Sequence, residues 1–237
     1  MKTILFDLDG TLHGMDLDRF AKAYFTSLIA DFARHGFSPD GAKIALDEAF
    51  HGMMANRGER TNEQLFIDCF TAHCGEEYRK RSEAIAAEYY ATAFDSLAPL
   101  CTPFREARAI LDRVHALGIP AVLATNPIFP RAATLRRIAW AGLVPEDFTL
   151  ITTYEEFSHT KPNLDYYRTI LARIGAAPEE CMMVGNDAIE DMAAAELGMR
   201  VFLLTEDLLN RKGLDISVYP HGGFAELAAA IEDFATA

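Results

Sequence analysis

Two aspartates separated by one residue, Asp7 and Asp9 in the segment FDLDGTL, are the first place along this chain where nucleophilic or acid–base chemistry could be done. Other reactive types recur in short polar clusters: Thr125 with Asn126, Lys161 in TKPN, and Asp187 with Asp191 in GNDAIED. Brought to one place they amount to four carboxylates, a hydroxyl and one ammonium. Acids crowded in this way without compensation disfavour one another's ionised forms and raise some of the pKa values. A hard divalent cation is the natural counter-charge, and a donor set of oxygen alone, with no Cys or His, points to Mg2+.

The elements that would gather these residues can be read from periodicity. Thr3 to Phe6 is a short run of β-formers opening into polar DLDGT, the pattern of a buried parallel strand with a functional loop at its carboxyl end. From Leu17 the period becomes helical, with Leu17, Phe20, Ala21, Tyr24, Phe25, Leu28 and Phe32 on one stripe closed by Gly36. Three more stripes follow, around Leu46 to Met53, Leu65 to Phe70 and Ile85 to Phe94, with no strand between them. After Pro99 helices and strands alternate. The spacing predicts helices over 104–117, 131–141, 163–174, 189–197 and 224–234, and strands at IPAVLAT (119–125), FTLITT (148–153), 181–184 and 200–204. Alternation implies a parallel sheet with right-handed crossovers, and the ligand site of such a sheet lies outside the carboxyl ends of its strands. The polar clusters stand at those ends. The expected fold is α/β, a doubly wound parallel sheet over residues 1–12 and 99–237, with an all-helical cap inserted over 13–98.

The motif set FDLDGTL, ATN, the Lys of TKPN and GNDAIED, in that order, resembles the haloacid dehalogenase superfamily, and the inserted helices resemble its small helical cap. The resemblance implies a phosphatase-type, Mg2+-dependent reaction through a phospho-aspartate. In it Asp7 would be the nucleophile and Asp9 the acid that protonates the leaving oxygen and then the base that activates water. Gly10 and Thr11 would allow the turn and offer backbone N–H groups to phosphate oxygens. Thr125, with Asn126 beside it, would bind the transferred phosphoryl group, and Lys161 would offset the charge of nucleophile and phosphate. The metal would be held by the Asp7 carboxylate, the Asp9 carbonyl and Asp187, with Asp191 in support. Many relatives carry the metal-binding Asp directly after the Gly, where this chain has Asn186; the spacing from Asp187 to Asp191 still matches a common variant of the family, so the resemblance favours Asp187 over Asn186.

Asp9 separates the candidates within the resemblance, because dehalogenases lack a carboxylate at that position. Hydrolysis of a small phosphorylated metabolite is favoured, with a mutase as one alternative. A phosphonate-cleaving enzyme is another and would need a cap lysine such as Lys22, Lys43 or Lys80. Outside the enzymes stand a phospho-accepting receiver module, which should be about half this length, and a catalytically dead binding protein, which should lack a motif. In the polar loop of the expected cap, Arg57 and Arg60 are candidates for a second anionic group on the substrate. His13 and Gly14 read as a hinge, and YPHGGF (219–224) has no assigned role. With 22 basic and 35 acidic residues among 237, the net charge is −13. Nucleic acid and anionic membranes are disfavoured as partners, since both need a concentrated cationic face. Cys69, Cys74, Cys101 and Cys181 lack zinc or disulfide spacing, and the chain reads as a cytoplasmic protein.

Overall fold

The computed structural model describes all residues, 1–237. Strand β1 (Thr3–Phe6) leads into a short strand β2 (His13–Met15) and four helices, α1 (Leu17–Arg34), α2 (Pro39–Met54), α3 (Asn62–Cys74) and α4 (Glu76–Ala91). A 3-10 segment, Ala93–Leu100, brings the chain back through β3 (Cys101–Pro103). Thereafter come α5 (Arg105–Ala116), β4 (Ala121–Leu123), α6 (Arg131–Trp140), β5 (Leu150–Ile151), α7 (Leu164–Ile174), β6 (Cys181–Gly185), β7 (Arg200–Leu204), β8 (His221–Gly222) and α8 (Phe224–Thr236). No helix is long and apolar enough to cross a membrane.

The six main strands lie parallel in the order β5-β4-β1-β6-β7-β8. The chain runs outward from β1 through β4 to β5, then returns to β1's other side and runs outward again. Strand order therefore reverses at β1, and a crevice opens at such a reversal. Each central strand feeds two cores with alternate residues, as the two-residue strand period requires. Ile4, Phe6, Met182, Val184, Phe202 and Leu204 pack with α5 and α8 on one face. Leu5, Cys181, Met183, Val201 and Leu203 pack with α7 on the other. A strand buried on both faces is apolar almost throughout, hence TILF and CMMV, where the one hydroxyl, on Thr3, donates to the Met1 carbonyl (3.3 Å).

The four inserted helices bury a third, aromatic-rich cluster that includes Phe20, Tyr24, Phe32, Phe70, Tyr78 and Phe94. Three of the four starts are capped by side chains: Asp16 for α1, Ser38 with Pro39 for α2, and a Thr61/Gln64 capping box for α3. Two features tie these helices to the sheet. One is the antiparallel ribbon of β2 and β3. The other is Asn62, wholly buried, whose backbone N–H donates to the Phe157 carbonyl (2.9 Å) and whose side-chain amide donates to the Pro127 carbonyl (2.9 Å).

Four segments differ from the elements expected of them, beginning with the strand over 119–125, which is only Ala121–Leu123. The strand in FTLITT is only Leu150–Ile151, an edge strand with a single neighbour. The helix expected over 189–197 is a 3-10 segment, Met192–Leu197, preceded by a turn that side chains hold. The Asp187 carboxylate accepts from the Ile189 and Glu190 N–H groups (2.7 and 2.8 Å), and Asp191 accepts from the Asp187 N–H (2.9 Å). Finally, part of YPHGGF is an edge strand, too short to show a period of its own.

Candidate active site

At the reversal point a fully buried ammonium joins two motifs. Lys161 Nζ lies 2.7 Å from Asp7 Oδ1 at the end of β1 and 2.6 Å from Asp191 Oδ1 in the loop after β6. Lys161 is held from behind by its own N–H, which donates to Asn126 Oδ1 (3.3 Å), and Asn163 caps α7 two residues later. Two glycines make room. A Cβ on Gly185 would stand 2.1 Å from the Asp191 carboxylate carbon. Gly10 sits at φ +86° with its Cα against the Asn186 amide, so a side chain there would be both strained and blocked. The Thr11 hydroxyl lies 3.4 Å from Asp7 Oδ2 and 3.2 Å from Asn186 Oδ1.

Burial pushes the Asp7 carboxyl up in spite of Lys161, and pushes Asp191 up to about 7, with the Asp7 charge adding to it. Lys161 is pushed well above its ordinary value because the attraction of Asp191 and Asp7 outweighs burial. Glu190, buried beside them and accepting from the Asn126 amide (3.0 Å), is pushed up to about 7, chiefly by burial. Two buried carboxylates thus share one ammonium, with Asp187 and Glu190 lining the same cavity. This excess of oxygen anions suits a hard divalent cation. No group of three acidic, His or Cys side chains is placed to hold a metal unaided, so carbonyl, amide or water oxygens would have to complete the shell.

Asp9 has the opposite environment. Its Oδ2 is paired with Arg137 and its Oδ1 lies 3.0 Å from His13 Nε2. Burial alone would raise this carboxyl, but Arg137 and His13 outweigh it and hold Asp9 below the usual carboxylate range. Burial also opposes charge on His13, yet Asp9, with help from Cys101, pushes its ring up to about 9. Arg137 is 1% exposed and lies over the Phe129 ring, 4.2 Å from the centroid. The sequence reading missed Arg137, though a signal existed: it falls on the buried stripe of α6 with Ala133, Thr134 and Ile138, where a charge needs a partner. His13 matches a hinge by sequence. It does lie in the ribbon, but its side chain faces Asp9.

Asp7, Asp9, Thr125, Asn126, Lys161, Asp187 and Asp191 all line one cavity of about 610 Å³. The structure does not place every expected residue there. The Gly10 and Thr11 N–H groups point into their own turn, to the His13 and Leu8 carbonyls, and so are not offered to a phosphate. Asp187 spends one oxygen capping the turn that follows it, while Asn186 is the one beside Thr11 and Gly10. Arg57 and Arg60 lie outside the cavity, and Arg60 pairs with Asp68 at the surface. Asp207 was not foreseen: it accepts from the Met15 N–H (2.8 Å) and, through its carbonyl, from the Asn186 amide (2.7 Å).

A family model described as haloacid dehalogenase-like hydrolase matches residues 1–198, and the chain belongs to that family: it is a hydrolase. Among curated relatives, it is 25% identical to a glyceraldehyde 3-phosphate phosphatase of Methanothermobacter thermautotrophicus, with 92% of this chain and 95% of the relative covered. It is 24% identical to the pyrophosphatase PpaX of Oceanobacillus iheyensis, over 79% of this chain and 75% of that one. Among solved structures, a phosphatase of the same superfamily from Thermococcus onnurineus shares the fold with a TM-score of 0.57 at 18% identity, covering 98% of both chains. A β-phosphoglucomutase from Clostridium difficile has a TM-score of 0.58 at 15% identity, covering 100% of this chain and 97% of the other.

Proposed function

We propose that this hydrolase is a Mg2+-dependent phosphatase that cleaves a small phosphate monoester through a phospho-aspartate on Asp7. The observation that carries the reading is the buried Asp7–Lys161–Asp191 chain at the sheet's reversal point, with Asp9 two residues from the nucleophile. Both curated relatives are named as enzymes acting on phosphate groups. The reading extends that class of reaction to this chain.

Asp7 attacks phosphorus, the ester P–O bond breaks, and the leaving oxygen takes its proton from Asp9. Water then attacks the aspartyl phosphate and gives a proton to Asp9, and inorganic phosphate leaves with the Asp7 carboxylate restored. Lys161 holds Asp7 in place and offsets the charge gathered on the phosphoryl group. Asp9 must alternate between two protonation states. Its pairing with Arg137 and His13 favours the anion, the form needed to activate water. A phosphate dianion placed next to it raises its proton affinity and favours the acid form. The groups that would hold Mg2+ are the Asp7 carboxylate, the Asp9 carbonyl, and oxygens of Asn186, Asp187 or Asp191. The bound ion would supply positive charge to the phosphoryl oxygens.

The test is hydrolysis of phosphate esters by the purified protein with Mg2+, abolished by a chelator. During turnover, borohydride should reduce the acyl phosphate at position 7 to homoserine, visible by mass spectrometry of the tryptic peptides. Turnover with no label at Asp7 under rapid quench would overturn the covalent route.

A further inference from the structure

We infer that the ester taken by this site carries an apolar leaving group, an aromatic or branched hydrocarbon body, in place of a sugar, a carboxylate or a second phosphate. The inference rests on the phosphatase reading and adds the substrate class to it. The cavity of about 610 Å³ is far larger than a phosphoryl group needs and lies in the ordinary range of small-molecule sites. Its floor is polar, as described above. Its walls, from helices α1, α2 and α3, are hydrocarbon: Phe20 and Phe25, Phe50 and Met53, Met54 and Phe66.

The polar groups that remain in these walls are already committed or sit at the opening. The Tyr24 hydroxyl shares a hydrogen bond with the Tyr90 hydroxyl (2.7 Å) inside the helical cluster. Asp18 and Arg211 pair with each other at the exposed mouth, where Lys212 also lies. The buried cations, Lys161 and Arg137, are spent on Asp7 with Asp191 and on Asp9. A sugar's hydroxyls or a second anion seated against these walls would lose water and gain no partner, which is unfavourable. A hydrocarbon body loses nothing there. Phe50 and Met54, 37% and 38% exposed, are among the few large apolar side chains left open to solvent, and both face this cavity. Methionines at 15, 53 and 54 add walls that adapt to an irregular apolar shape.

A series of alkyl phosphates isolates this effect, because their alcohols are similar leaving groups and only apolar size varies. With ethyl, butyl and hexyl phosphate, kcat/KM should rise about fourfold per added methylene, and 2-phenylethyl phosphate should exceed glycerol 3-phosphate by roughly a hundredfold on the same scale. Phe50→Ser should lower the hexyl-to-ethyl ratio of kcat/KM, a readout taken within one variant and so independent of how much of it is folded. Turnover of ethyl phosphate with a flat or falling series, or a preference for glycerol 3-phosphate, overturns the apolar assignment and leaves the phosphatase reading standing. Absence of Mg2+-dependent turnover on every ester, nitrophenyl phosphate included, overturns both.

Discussion

The floor and the walls of the one cavity are built on opposite principles. The floor holds charge that is buried and paired across distant parts of the chain: Asp7 from β1, Lys161 before α7 and Asp191 after β6. The walls are mostly side chains of three consecutive helices in one stretch of sequence, with Ile128, Phe129, Ile189 and Leu209 added from the sheet's loops. A floor of this kind tolerates little change, since removing one member strands another charge in a medium that cannot solvate it. The walls respond by increments, because hydrocarbon contact is non-directional and scales with area. Chemistry and substrate choice can therefore vary separately in this architecture.

The sharpest test of the floor is Asp7→Asn, which keeps the shape and removes the carboxylate proposed as the nucleophile. Turnover should fall on the order of ten-thousandfold or more, with an unchanged circular dichroism spectrum. Activity within tenfold of wild type would break the picture.

Lys161→Met should come next, leaving Asp7 and Asp191 buried without their ammonium. Urea denaturation should show a loss of about 3–5 kcal/mol. An effect under about 1 kcal/mol, the scale of a surface ion pair, would mean that the floor is solvated. Arg137→Met should be milder in stability and should act on rate, since it frees Asp9 from its buried partner. We expect kcat to fall about a hundredfold, the scale of a mispositioned acid–base group, with KM little changed. A rise in KM with constant kcat would instead place Arg137 in substrate binding.

The pH dependence of stability in chelator-treated protein reads the same charges. Glu190 and Asp191 have folded values of about 7, above their ordinary 4.5 and 3.8, so the folded state binds more protons than the unfolded one between roughly pH 4 and 7. Their contribution is largest below that window and is lost as pH rises through it. His13, raised from 6.5 to about 9, extends the decline across that next window. Asp9 works the other way, but only in acid, near and below its ordinary value of 3.8. The melting temperature should thus fall from pH 5 to pH 9, and Glu190→Gln should flatten the lower part. A melting temperature that rises across this range would contradict the burial of these groups.

The smallest effect belongs to the loop outside the cavity. Arg60→Ala removes an exposed pair with Asp68 and should cost no more than about 1 kcal/mol, with kcat/KM of any substrate within twofold. A tenfold loss would return Arg60 to the site and show that the loop closes further over the opening.

What the sequence determined by itself is local in origin. The apolar runs TILF and CMMV, the helical stripes from Leu17 to Phe94, and the polar motifs at strand ends follow from periods of two and 3.6 residues, and they were enough to place a doubly wound sheet and most of its floor. Tertiary structure decided what depends on residues far apart in the chain. Arg137 reaches Asp9 from 128 positions away, and neither residue's neighbours announce the other. Spacing favours Asp187 over Asn186 but does not show that the Asp187 carboxylate captures the Ile189 and Glu190 backbone donors while the Asn186 amide lies beside Thr11 and Gly10. Arg57 and Arg60 looked useful as charges in a loop and lie outside the cavity, because the direction of that loop is set by Asn62 docking against the Phe157 and Pro127 carbonyls. Periodicity reports which face of an element is buried, whereas the partner that meets that face is chosen only when the elements pack.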